Sequence, residues 1–274
     1  MTTEPSFYDT LCNRNMGLLN KDQQMKIKET KVAISGLGGI GSPIAEMLCR
    51  LGFTRFSLLD HGTFELTNLN RQIFCYTDTN DQLKTDVTEQ FMKKINPDVQ
   101  IEKFTDISEE NVDDFLKDAG VIVMGIDTVL PCLIISRAAQ EKKIPMVEGW
   151  GVITGNVRVF NQDTPGLEEV YEMPTIGRAI KDITPEEEND LLMHTLDILI
   201  KQIPGLKDQY PPAAMERMEL TGEGTTLAPL TWLTCTLMAT EVMKVVLEWG
   251  NLALAPDFAT YNPILHQTTA QEKI

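Results

Sequence analysis

The sequence predicts an α/β fold, a doubly wound and mostly parallel sheet with an elaborated helical and irregular second half. Three observations carry this. The apolar run Val32–Ser35 passes directly into "GLGGIG" and then into a helix-periodic stretch, "SPIAEMLCRLGF". Short apolar runs then alternate with helical patterns as far as about residue 150. After about residue 155 the alternation stops and Met, Pro and acidic residues accumulate.

Taken in order, "KDQQMKIKETK" reads as a short surface helix leading into the first strand. A second strand, "RFSLLD", ends in Asp60. "TDVTEQFMKKINP" is a helix stopped by Pro97, because proline supplies no backbone donor and disfavours helical geometry before it. "VQIEKFT" is a strand, "SEENVDDFL" a helix with Ser108 as its expected cap, and "GVIVMGID" a buried strand. "LPCLIISRAAQEKK" is a helix, "IPMVEGWGV" a strand, and "TGNVRVFN" an antiparallel strand. "PEEENDLLMHTLDILIKQI" is an amphipathic helix and "LKDQYPPAAMERMELTGEGTTLAP" is expected to be mostly irregular. "TWLTCTLMATEVMKVVLEWG" is apolar around most of its circumference and reads as a core helix, and "APDFATYNPILHQ" adds a strand. There is no internal repeat, so residues 1–274 are expected to form a single domain, with an alternating α/β half (1–155) and an elaborated half (156–274).

Charge bounds the partners. Forty acidic residues against 24 basic ones leave a formal charge of −16, with no Lys/Arg-rich run. Broad contact with nucleic acid or an anionic membrane is therefore not expected. The five cysteines contain no C-x-x-C pair, which points to a reducing compartment rather than a disulfide framework. The N-terminal "MTTEPSFYDT" lacks the basic start and apolar run of a signal peptide, and no uninterrupted apolar segment approaches bilayer length. A soluble cytoplasmic protein is the expectation.

Gly36, Gly38, Gly39 and Gly41 let the chain turn sharply, bring backbone N–H groups close to phosphates, and seat a helix against the strand. Asp60, nearly twenty residues further on, stands where a carboxylate accepts hydrogen bonds from ribose hydroxyls. An NAD-dependent oxidoreductase satisfies the sequence up to this point. The following loop, "TNLNRQ", carries two amides, an arginine and a glutamine, more polar function than an ordinary turn needs.

The segment "DHGTFELTNLNRQIF" resembles that of the ThiF/MoeB/HesA family, bacterial relatives of ubiquitin-activating enzymes, with Thr67 in place of the usual serine. Asn68, Leu69, Arg71 and Gln72 match its loop, Lys84 in "DQLKTDV" its lysine, "INPDVQIE" its Asn-Pro signature, and Asp127 in "VIVMGIDT" its Mg-binding aspartate. Arg14, in "LCNRNMGLL", holds the place of an arginine that reaches ATP across a dimer in family members.

The resemblance implies an ATP- and Mg-dependent adenylyltransferase, a homodimer that activates a carboxylate as an acyl-adenylate. The carboxylate is the C-terminus of a small ubiquitin-like sulfur carrier, a peptide, or a small-molecule acid. Arg71, Lys84 and Arg14 are the implied cations for charge developing on the phosphates. Asp127 is the implied metal ligand; Asn68 and Gln72 orient phosphate or metal-bound water, and Asp60 fixes the ribose.

The sequence departs from the family in three respects. It lacks the two Cys-x-x-Cys pairs of zinc-holding members, and it has no cysteine between Cys132 and Cys235 to receive the acyl group. Cys235 falls in the apolar final helix and reads as a core residue, so the expected end product is an acyl-adenylate passed to an external acceptor. "IDTVLPC" also lacks the arginine that often follows the aspartate. His194 and Asp197, three apart on one helix, read as a solvated face rather than a metal pair. Competing readings are a tRNA threonylcarbamoyladenosine dehydratase-like enzyme, the oxidoreductase, and a non-catalytic partner subunit. The missing basic patch counts against tRNA. The oxidoreductase leaves Arg71, Gln72 and Lys84 without a task, and a degenerate subunit has no need to keep them together with Asp127.

Overall fold

A computed structural model of the chain describes residues 5–203, 205–221 and 224–269; residues 1–4 of the N-terminal stretch and Gly222–Glu223 of the stretch expected to be irregular lie outside them. The elements are α1 (Phe7–Leu11), α2 (Lys21–Glu29), β1 (Lys31–Ser35), α3 (Gly41–Leu51), β2 (Arg55–Leu59), α4 (Lys84–Ile95), β3 (Gln100–Phe104), α5 (Val112–Leu116), β4 (Ala119–Met124) and α6 (Val129–Lys142). Then come β5 (Met146–Glu148), β6 (Gly155–Phe160), α7 (Leu167–Val170), α8 (Pro185–Gln202), α9 (Leu206–Gln209), α10 (Pro212–Thr221), α11 (Ala228–Leu247), β7 (Ala259–Asn262) and β8 (Gln267–Thr269).

One sheet orders the strands β3-β2-β1-β4-β5-β6-β7-β8. The pairs from β3 to β5 are parallel and those from β5 to β8 antiparallel. All five residues of β1 are buried, as a strand covered on both faces requires. Val32 and Ile34 face a core completed by residues of α3 and α11, whereas Ala33 faces a second core built from α5, α6 and α8. The doubly wound expectation is borne out. Strand order reverses between β1 and β4, and ligands of such sheets sit beyond the strand C-termini at that reversal.

Several expectations are corrected. Ser108 does not cap a helix beginning beside it: its N–H donates to Asn111 Oδ1 at 2.8 Å, a local turn, and α5 starts only at Val112. The stretch expected to be irregular contains α9 and α10; Pro212 opens α10, where a missing N–H costs nothing, and good helix formers follow. The C-terminal strand is a hairpin, β7 against β8. The surface helix α2 buries Ile27. Contrary to expectation, one helix is long and apolar enough to cross a membrane by length and composition: α11, with a mean hydropathy of 1.4. Half of that window is buried, and α11 packs on β6 and α3 as a core helix does.

Candidate functional site

The glycine turn lies at the C-terminal end of β1, at the strand-order reversal. Gly36 donates its N–H to Leu59 O at 2.7 Å and has φ +79°, a left-handed conformation that disfavours any side chain. A Cβ on Gly36 would stand 2.5 Å from Gly125 O, and one on Gly41 only 1.8 Å from Gly36 O. These two glycines are required by the crossing of β1, β4 and α3. Gly38 and Gly39 have no such conflict: their Cα hydrogens face the side chains of Gln72 and Arg71, at 3.7 and 3.4 Å from a would-be Cβ. Ser42 donates N–H and Oγ–H to Gly38 O, starting α3 and leaving the turn over its positive N-terminal end.

Asp60, 8 % exposed, follows β2. Its Oδ2 accepts from Leu37 N–H at 2.6 Å and its Oδ1 from Gly62 N–H at 2.8 Å. The carboxylate thus braces the turn from beneath while each oxygen keeps a further lone pair.

The polar loop is held by a small core of its own, Phe64, Phe74, Cys75 and Val87. Asn68 is engaged within it, accepting from Glu65 N–H at 3.2 Å and donating toward Thr67 Oγ1, and it caps the turn rather than presenting a free amide. Gln72 is different. It is 5 % exposed, its amide end lies against Gly38, and its Oε1 has no hydrogen-bond partner. Arg71 donates through Nη1 to Thr67 O and Asn70 Oδ1, and Lys84 opens α4 with its N–H on Gly62 O at 3.0 Å. Lys84 Nζ and Asp60 Oδ1 lie 3.3 and 3.2 Å from the position of a Cβ on Gly62. Burial pushes the Cys75 thiol up, while the charges of Lys84 and Arg71 pull it the other way, which places both cations around the same loop. Neither Arg71 nor Lys84 has a carboxylate partner among the described residues.

Asp127 is exposed just beyond β4, across the reversal from the turn. Arg14 is not brought to the site. Its neighbour Asn15 donates to Leu51 O at the far end of α3, roughly 15 Å from the glycine turn at 1.5 Å per residue.

Sequence reasoning missed the wall that α11 supplies. Trp232 Nε1 donates to Arg71 O at 2.8 Å, and Asn70, read from sequence as an ordinary turn residue, donates to Thr226 O at 3.2 Å. Thr231 Cγ2 stands 3.5 Å from a would-be Cβ on Gly39. No local pattern signals such contacts. His194 is also more than a solvated residue: Nε2 lies 2.9 Å from Tyr171 O and 3.0 Å from Glu172 O, and since carbonyls only accept, that nitrogen carries the proton. No group of three metal-ligating side chains occurs among the described residues. Cys235 is fully buried and burial pushes its thiol up, as expected of a core residue.

A family model described as ThiF family matches residues 12–273. The sulfur carrier protein ThiS adenylyltransferase of Bacillus subtilis is 33 % identical over 166 residues, covering 58 % of this chain and 49 % of that protein. The adenylyltransferase and sulfurtransferase UBA4 of Meyerozyma guilliermondii is 25 % identical over 247 residues, covering 89 % of this chain and 50 % of the relative. The ubiquitin-like modifier-activating enzyme 5 of Arabidopsis thaliana is 46 % identical over 92 residues, 34 % of this chain and 21 % of that protein. The chain therefore spans about half or less of the length of these relatives. Among solved structures, PaaA aligns with TM-score 0.70 at 20 % identity, covering 98 % of this chain and 84 % of that one. E. coli MccB with ATP aligns with TM-score 0.64 at 17 % identity, covering 91 % and 64 %. At these identities the structures share the fold.

Proposed function

The chain belongs to the ThiF family, and from that premise we propose that it is an ATP- and Mg-dependent adenylyltransferase that activates a carboxylate as an acyl-adenylate for an external acceptor. The substrate carboxylate attacks the α-phosphate of ATP, the P–O bond to the leaving pyrophosphate breaks, and no protein nucleophile or general base is needed because the carboxylate is already ionised. The observation that carries the reading is the pair Arg71 and Lys84. In a chain of charge −16 Arg71 lies against Gly39 of the turn and Lys84 against Gly62 beside the Asp60 that braces it, and neither forms an ion pair among the described residues. Unneutralised cations beside an N–H-rich helix start are suited to the charge that builds on phosphates.

Gln72 supports the same reading, since its amide nitrogen lies nearest Gly38 and its buried amide oxygen has no protein partner, an acceptor that a ligand or a ligand-bound water satisfies. Asp60 retains acceptor capacity for a ribose hydroxyl. Asp127 offers an exposed carboxylate, and one or two carboxylates plus phosphate oxygens are the usual holding set for Mg. Mg, when bound, neutralises phosphate charge. Asn68 serves the site by shaping the loop rather than by touching phosphate. Two copies in a cytoplasmic homodimer complete each site, Arg14 arriving from the partner. Carrier proteins named among the relatives, such as ThiS, are the first substrates to test.

Carboxylate-dependent ATP–pyrophosphate exchange, measured over carrier proteins and small acids, tests the reading. Exchange is expected to fall by about 10²–10³-fold in Arg71→Ala and Lys84→Ala, and to be lost in Asp127→Ala. Normal exchange in all three variants, or tight NAD binding without ATP binding, overturns it.

A further inference from the structure

The start of α6 lacks a cap of its own. Thr128 stands at the N-cap position, where a threonine usually accepts an N–H of the first turn, yet its side chain makes no such bond and its Oγ1 is buried without a partner. The N–H groups that open a helix still need acceptors. Leu130, the second residue of α6, gives its N–H to Glu188 Oε1 at 3.3 Å, a group in the first turn of α8 and 58 residues further along the chain. A carboxylate suits that place, because the helix dipole presents positive charge there.

Asp127, the carboxylate proposed to hold Mg, lies immediately before this helix start. Leu130 is three positions further on, at most about 11 Å away along the Cα trace. The Asp127 side chain is exposed, so its aim depends on the backbone that leads from β4 into α6.

Glu188 is itself held in place. Its neighbour Glu187 accepts from both Nη1 and Nη2 of Arg178, each at 3.0 Å, and from Thr184 N–H at 2.9 Å. Such a two-pronged pair constrains direction as well as distance. Arg178 O and Thr175 O accept from Arg137 at 2.8 and 3.0 Å, and Arg137 belongs to α6, about two turns past Leu130. Glu168 fastens the same guanidinium through Nε and Nη2. The start of α8 is therefore strapped to α6 at two points, along the helix through Arg137 and at its tip through Glu188. The passage from Glu168 to Glu187 then has a physical task, which is to deliver one carboxylate to the helix that begins behind Asp127.

Resting on the adenylyltransferase reading, we infer that Glu188 is a positioning residue for the nucleotide-bound metal: by capping α6 from α8 it fixes the turn that carries Asp127. It acts by accepting the Leu130 N–H and does not touch the metal. Loss of the acceptor frees the first turn of α6, and Asp127 with it.

The test is titration of Mn²⁺ into protein saturated with a non-hydrolysable ATP analogue, alongside binding of the metal-free analogue, Tm, and carboxylate-dependent pyrophosphate exchange. Glu188→Ala is expected to weaken Mn²⁺ binding about tenfold, the usual scale for losing a group that orients a metal ligand, with the metal-free analogue bound as in wild type. Glu188→Gln keeps an acceptor at the same reach and restores most of the affinity. Asn20→Ala, which removes the α2 cap made to Gln23 N–H at 2.9 Å, lowers Tm comparably and leaves Mn²⁺ affinity unchanged. Unchanged Mn²⁺ affinity in Glu188→Ala, an equal loss for the metal-free analogue, Glu188→Gln behaving as Glu188→Ala, or Asn20→Ala weakening Mn²⁺ as much overturns the inference. So does wild-type protein that binds no Mn²⁺ with the analogue. Wild-type exchange separates the two readings: where it is present, any of these outcomes strikes the role of Glu188 alone, and where it is absent the adenylyltransferase reading falls too.

Discussion

Asp60 Oδ2 accepts the backbone N–H of Leu37 at 2.6 Å, so the carboxylate at the end of one strand holds the glycine turn that leaves its neighbour. The second oxygen takes Gly62 N–H. The residue that the sequence marks as a ribose ligand is therefore also the support of the glycine turn.

Asp60→Asn replaces one acceptor by an NH₂ group facing a backbone N–H, leaving buried donors unsatisfied. A loss of about 1–3 kcal/mol in unfolding free energy is expected, together with weaker ATP binding. Denaturant unfolding and ATP titration check it; a variant of wild-type stability and affinity contradicts the bracing role.

The four glycines of the turn should divide into two classes. Gly41→Ala drives a methyl into Gly36 O and is expected to prevent stable folding. Gly38→Ala meets only ordinary contacts with Gln72, so the protein should fold with a near-normal Tm. Its methyl covers the cradle, and ATP binding should weaken at least tenfold. Equal stability of the two variants contradicts the assignment.

Arg14 sits at the far end of α3 from the glycine turn of its own chain. If two copies exchange this arginine, Arg14→Ala and Lys84→Ala proteins are each inactive but complement one another when mixed. Half of the dimers are then mixed and each has one intact site, giving about a quarter of wild-type exchange by symmetry. No recovery on mixing, under conditions where subunits exchange, contradicts the in-trans role.

Arg137 grips Glu168 with Nε and Nη2, both at 2.8 Å, and Thr175 Oγ1 adds a third donor. Burial alone raises the carboxyl's pKa, but these donors outweigh it and hold it below its ordinary 4.5. The folded-state pKa is depressed, so the contribution to stability is full above pH 4.5 and lost as pH falls through the lower value. Arg137→Met should cost about 1.5–3 kcal/mol at neutral pH, with the gap to wild type closing below pH 4.5. Stability curves that stay parallel across this range contradict the assignment.

Much of the site was legible because it is nearly continuous in sequence. Gly36, Asp60, Gln72 and Lys84 belong to one strand–turn–helix–strand–loop passage, and local spacing places them. Asn68 shows what such reading leaves out: its residue type fits a phosphate contact, and the structure adds bonds to Glu65 and Thr67 that shape the loop. Ser108 and the segment of α10 show another. A residue's capping or breaking tendency is local, and its use depends on where neighbouring hydrogen bonds close.

The sequence by itself determined the doubly wound fold, the glycine turn and the family, because periodicity and short-range geometry are written in consecutive residues. Only the tertiary structure decided what surrounds the turn. Trp232 meets Arg71 across 161 residues, and Asn70 meets Thr226 across 156. These pairings arise where separate elements close the two cores over the sheet, and no spacing along the chain encodes which side chains then touch.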